Sequence, residues 1–145
     1  MTATDKIAKA EVTIQAPIER VWDALVNPDA IKKYMFGTTV LSDWKEGSEI
    51  KWKGEWKGKS YEDKGVILKI EPPAKLQYSH YSPLTGEDDV PENYHTVTID
   101  LGNKGNKTLV SLTQDKNDTD KAKEESEKNW KMMLEGMKKL LEENS

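Results

Sequence analysis

The feature that most limits the fold is a change of hydrophobic period along the chain. From residue 38 to residue 115 apolar residues recur at every second position, in short runs separated by Gly, Pro and Asn. The last 25 residues instead carry one helical stripe. Period two marks strands with one face buried, and period 3.6 marks a helix with one apolar side. IKWKGEW (50–56) is the clearest strand, with Ile50, Trp52, Gly54 and Trp56 on one face and Lys51, Lys53 and Glu55 on the other. TTVLSDW (38–44) and LQYSHYS (76–82) read as strands too, as does GVILKIE (65–71), closed by Pro72-Pro73. YHTVTIDL (94–101) and TLVSLTQD (108–115) form a hairpin around Gly102 to Asn106. PLTGEDDVPEN (83–93), rich in Gly, Pro and acids, reads as a long exposed loop, and its Glu87-Asp88-Asp89 run as a solvated one.

The two ends complete the pattern. Residues 7–15 alternate as a strand through Ala10, Val12 and Ile14. Pro17 suits a first helical position, and Ile18, Val21, Trp22 and Leu25 then form one stripe of a short helix. Asn27-Pro28 stops it, and Pro28 opens a second short helix carrying Ile31, Tyr34 and Met35 inward. At the C-terminus Asp118, Thr119 and Asp120 are N-cap candidates, and Trp130, Met133, Leu134, Met137, Leu140 and Leu141 make the stripe. Glu124 with Lys128, Glu127 with Lys131 and Glu135 with Lys139 stand at i,i+4 in the favourable order. The first half of this helix, DKAKEESEK, has almost no apolar face and is expected to border an opening. One arrangement buries all these faces: an α+β fold in which a curved antiparallel sheet of six to seven strands wraps around the long helix. The two short helices close the gap between the sheet's ends, leaving an internal cavity.

At 145 residues the chain has room for a single domain, 1–145. It has no Cys, which excludes disulfides, thiolate metal sites and cysteine nucleophiles. The net charge of -4 and pI near 5.3 give no basic stripe, so nucleic acid is not an expected partner. No apolar run approaches a membrane span or the core of a signal peptide, so neither membrane insertion nor export is expected, and the expected compartment is the cytoplasm. His80 and His95 show no ligand spacing, so no metal is expected. Phosphate loops, nucleophile elbows and His-Glu-x-x-His motifs do not occur, so no cofactor is called and no catalytic residue can be named. The aromatic set of five Trp and five Tyr against one Phe suits partly wet walls.

Several stretches, taken in order, resemble a known family. They are Ala16-Pro17 through Val21-Trp22-Asp23-Ala24-Leu25, Asp43 with Gly47, and Gly65-Val66 to Pro72-Pro73. Leu76-Gln77-Tyr78-Ser79-His80, Thr108 to Thr113, and Trp130 with Leu134 follow. The chain resembles the helix-grip fold of the START-like superfamily, also called SRPBCC. Within it the chain is similar to the single-domain bacterial relatives of the activator of heat-shock protein 90 ATPase. Asn129 stands where that family usually has Gly. The resemblance makes the Trp52 and Trp56 face the concave one. Tyr78 and His80 share a face, Trp130 sits where the polar and apolar halves of the last helix meet, and Met132, Met133 and Met137 offer an adaptable wall. The cavity-lining candidates are therefore Tyr34, Trp52, Trp56, Tyr78, His80, Trp130, Met133 and Met137. Three functions follow. The first is a carrier or sensor of a small apolar or aromatic ligand. The second is a stress-related co-chaperone with a chaperone partner. The third is a cyclase- or hydrolase-like enzyme, which would need a polar pair in the cavity, such as His80 with a carboxylate.

Overall fold

Among the described residues seven strands pair antiparallel throughout into one sheet, and a single long helix lies against it. The computed structural model describes residues 6–35, 37–56, 58–81, 88, 90, 94–117 and 119–143, without the side chains of Lys6, Trp56, Lys59, Lys116 and Asn117. In chain order the elements are β1 (Lys6–Ile14), α1 (Ile18–Val26), α2 (Pro28–Tyr34), β2 (Thr39–Ser42) and β3 (Glu49–Trp56). They continue with β4 (Lys59–Glu71), β5 (Lys75–His80), β6 (His95–Lys104), β7 (Lys107–Asn117) and α3 (Asp120–Glu143). The sheet order is β1-β7-β6-β5-β4-β3-β2, so β1 and β2 are its edges. The expected loop at 83–93 lies almost wholly outside the described residues, Glu87 and Asp89 included.

The core forms where period two meets period 3.6. Val12 and Ile14 of β1, Val97 and Ile99 of β6, Val110 and Leu112 of β7, Ile50 of β3 and Ile67 of β4 are buried on the concave face. Met133, Leu134, Met137 and Leu141 of α3 meet them there, while Trp130 and Leu140 at the edges of that stripe are only partly buried. Arg20, the only arginine, reaches from α1 to the Leu141 carbonyl at 3.2 Å, satisfying an acceptor in the last turn of α3. Thr119 caps the other end by accepting from the Ala122 N–H at 3.0 Å, and the alternative cap Asp118 lies outside the described residues. Among the described residues no helix is long and apolar enough to cross a membrane.

Two expectations need correction. The fourth strand starts at Lys59 rather than Gly65. Residues 59–64, KSYEDK, have one apolar side chain and so show no alternation of hydrophobicity, yet they pair with the whole outer half of β3, from Trp56↔Lys59 to Trp52↔Asp63. Gly65 sits where this long strand crosses β5: a Cβ there would stand 1.7 Å from the Ser79 carbonyl oxygen, a backbone atom that cannot swing aside. Only glycine permits that approach, and it lets the β4 strand carry its first half past β5.

The helix ion pairs also run opposite to expectation. Lys123–Glu127, Lys131–Glu135, Lys138–Glu142 and Lys139–Glu143 form, with Lys preceding Glu. The reason is β1. Its even residues hydrogen-bond β7, so the odd ones present their N–H and C=O groups outward. The Lys9 N–H donates to Glu127 at 2.9 Å and the Gln15 N–H to Glu142 at 2.8 Å. Between them Lys131 donates to the Glu11 carbonyl at 2.6 Å and Lys138 to the Thr13 carbonyl at 2.9 Å. Side chains of α3 thus finish the ladder that a neighbouring strand would have made, and each Lys and Glu is aimed by its bond to β1.

The Glu142 carboxyl is held below the ordinary carboxylate range, chiefly by the Lys138 hydrogen bond and then by the Gln15 N–H. A carboxyl depressed on folding stabilises above its unfolded pKa, about 4.3, and loses that contribution as pH falls through its lower folded value. Glu142→Gln should therefore lower the urea midpoint at pH 7 and shrink the drop in midpoint on acidification below about pH 5. An unchanged acid profile in the variant would remove Glu142 from the edge contact. Gly65→Ala should cost more than about 3 kcal/mol in the same assay, because the overlap falls on backbone. A loss near the usual glycine-to-alanine effect of about 1 kcal/mol would contradict the crossing geometry.

Candidate functional site

The sheet and α3 interlock only along the apolar half of the helix. Beside its other half, a cleft of about 460 Å³ opens between α3, the β3–β4 ribbon and the corner joining α2 to β2. The sequence dictates each wall. On α3 the polar first half supplies Ser126 and Asn129, and the start of the apolar stripe supplies Trp130, Met132 and Met133. Register then fixes the floor, since Gly54 is paired with Tyr61 and Trp52 with Asp63, placing these four on the inner face of the ribbon. Gly54 matters because a Cβ there would lie 2.6 Å from the Tyr61 hydroxyl, so its bare backbone leaves the tyrosine ring its place in the cleft. Met35 and Thr38 close the corner, and the exposed Glu55 stands at the rim.

Hydrogen bonds hold the polar part of the lining. Thr38 Oγ1 donates to the Met35 carbonyl at 2.7 Å, which leaves it to accept from the Tyr61 hydroxyl at 2.9 Å. The Trp130 indole N–H donates to Gln114 Oε1, tying α3 to β7 at the side of the cleft. Asp63 meets His80 at 2.9 Å through Oδ2 and the imidazole Nε2. Its other oxygen, Oδ1, is buried with no hydrogen-bond partner among the described residues. His80 in turn packs edge-on against Trp52, ring centroids 5.0 Å apart, and Trp52 leans on Tyr78 at 5.1 Å.

A second, inner void of only about 20 Å³ lies among Tyr34, Trp44, Trp52, Tyr78 and Met133, room for about one water. Burial pushes the phenols of Tyr34 and Tyr78 far above their ordinary range, with the neighbouring Tyr78 a lesser influence on Tyr34. Tyr34 satisfies its hydroxyl on the Ala24 carbonyl at 2.9 Å.

The eight candidates thus separate. Trp130 and Met133 line the cleft, and Met133 also forms the partition to the inner void. Tyr34, Trp52 and Tyr78 surround the small void. Met137 is fully buried under α3. His80 backs Asp63, and the side chain of Trp56 lies outside the described residues. Sequence reading missed Met35, Thr38, Tyr61, Asp63, Gln114 and Asn129. Tyr61 and Asp63 were lost with the first half of β4, whose signal was only the tight Gly58 turn beyond a clear strand. Asn129 was noted as a departure from Gly, and it puts an amide side chain on the cleft wall.

His80 and His95, which sequence spacing left unconnected, face each other across β5 and β6, but the His95 Nδ1 is engaged by the Asp115 carbonyl at 2.8 Å. No group of three or more His, Asp or Glu suited to a metal occurs among the described residues.

Residues 15–142 match the family described as Activator of Hsp90 ATPase homolog 1-like protein. The solution structure of a protein from Cytophaga hutchinsonii is 62% identical, with a TM-score of 0.84 over 96% of this chain and 95% of that one. More distant structures share the fold. The Aha1 dimer from Colwellia psychrerythraea is 20% identical, with a TM-score of 0.70 over 92% of this chain and 93% of that one. CalU16 from Micromonospora echinospora is 21% identical, with a TM-score of 0.69 over 92% and 83%. No curated protein matches the chain. A seven-stranded curved sheet gripping a terminal helix, with a family match running from the end of β1 to the end of α3, makes this chain a member of the Activator of Hsp90 ATPase homolog 1-like family.

Proposed function

We propose that the chain binds a small, largely apolar molecule in the cleft between α3 and the β3–β4 ribbon. The observation that carries this reading is the contrast between the two spaces. The inner void holds about 20 Å³ while the cleft holds about 460 Å³, so the sheet and helix that close over the inner core stand apart beside Trp130. That volume lies in the range of small-molecule sites, and its composition is typical of them: an apolar wall of Met35, Trp130, Met132 and Met133 with a few fixed polar groups. Methionine walls adapt to ligands of varied shape.

The co-chaperone reading draws on the family description. It needs a contiguous contact surface, and among the described residues the large exposed apolar side chains, Ile7, Leu41, Val66, Leu68 and Met132, belong to four separate elements. Scattered exposure of this kind is ordinary. The cleft is therefore the stronger candidate. An enzymatic reading would use the Asp63–His80 pair, but Asp63 alone of the two lines the cleft.

Mass spectrometry of the intact protein taken from its own cells should show a stoichiometric small-molecule adduct, and Trp130→Ala should lose it. Because the indole lines a cleft, Trp130→Ala should also cost clearly less stability than the roughly 3–5 kcal/mol of a close-packed Trp. A full-sized stability loss together with a bare mass for the wild type would turn the ring into core and remove the binding site.

A further inference from the structure

Resting on the cleft-binding reading, we infer that the ligand's head group is a protonated amine carried on an aromatic or aliphatic body, held by Asp63 and the face of Trp130. The charges lining the cleft point one way. Among its described lining residues there is no Lys, Arg or His, while Asp63 lies in the floor and Glu55 at the rim. Two described cations on the elements that wall the cleft are committed elsewhere. Lys53 pairs with Glu62 on the outer face of the ribbon, and Lys131 is bound to the Glu11 carbonyl on the β1 side of α3. The helix dipole does not compensate, because the cleft meets α3 from Ser126 onward, beyond the first turn that starts at Asp120, and the dipole's influence fades within one turn.

Asp63 is the centre of the inference. Its side chain is only 15% exposed, one oxygen is bonded to His80, and Oδ1 has no hydrogen-bond partner among the described residues. A buried acceptor left unmet costs about 1–3 kcal/mol, which a donor brought in by a ligand recovers. Even with His80 protonated, one negative charge from Glu55 remains on the lining. The polar neighbours add acceptors: the Tyr61 hydroxyl donates to Thr38 and so turns lone pairs toward the cleft. An ammonium satisfies this set, whereas a carboxylate or phosphate would meet like charge without a cation among the described lining residues to offset it. Trp130 completes the site, since an indole face attracts a cation and its N–H is already used by Gln114.

The test separates head from body. Tryptamine, tryptophol and indole-3-acetate share one aromatic body and differ in head charge, and each would be titrated into the full-length protein. The reporter is the NMR signal of the Trp130 indole N–H. Tryptamine should bind about tenfold or more tighter than tryptophol, the usual difference for one hydrogen bond to a charged group, with indole-3-acetate weakest. Asp63→Asn, which keeps the shape and the His80 contact, should bring tryptamine and tryptophol to within about twofold of each other. Glu55→Gln at the exposed rim should change the ratio far less. Equal affinity for all three heads, or a tryptamine preference that survives Asp63→Asn, would overturn the amine assignment and leave the cleft a binding site. No response of the Trp130 signal to any of the three would overturn the cleft reading along with it.

Discussion

A single helix must serve as the inner layer for a seven-stranded sheet, and that mismatch governs the rest of the structure. Six inter-strand spacings make the sheet about 29 Å wide, while a helix with its side chains covers about 10 Å. A flat sheet would leave most of one apolar face in water. Curling it around α3 brings strands β1, β7 and β6 onto Met133, Leu134, Met137 and Leu141, and α1 and α2 cover part of what remains. Beside the outer half of the β3–β4 ribbon the covering runs out. The cleft is the geometric remainder of that mismatch, and its lining changes accordingly from Ile and Val to Met, Trp, Tyr and Asp.

The two halves of α3 divide the work of holding this arrangement. The apolar half supplies most of the burial energy. The polar residues do something else: Glu127, Lys131, Lys138 and Glu142 act as substitutes for a neighbouring strand along β1. Hydrophobic contact alone would let the helix slide along the sheet. Four directed bonds at alternate β1 residues set its position, and with it the place of Trp130 beside the ribbon.

Elements with an unmistakable period were legible in the sequence to within a few residues. The strand through Ala10, Val12 and Ile14, the Pro17 and Pro28 helix starts, the alternation from Ile50 to Trp56 and the stripe from Trp130 to Leu141 all reflect burial on one face, which leaves a mark in residue order. The first half of β4 left none, because KSYEDK faces solvent on one side and a partly wet cleft on the other, so both sides are polar. For the same reason the site was harder to read than the fold. Trp130 and Met133 could be found from a stripe, but Asp63 becomes meaningful only through its register with Trp52 and its reach to His80. The helix charges show a related limit: their i,i+4 spacing was visible, and the pull of β1 on each of them was not.

The covering of β1 makes the sheet unequal at its two ends. One border is already hydrogen-bonded by α3, and the other is β2, four residues long and paired on one side only, with β3. Among the described residues β2 is the outermost strand left for association through sheet extension, and two copies joined there would each cover that border of the other.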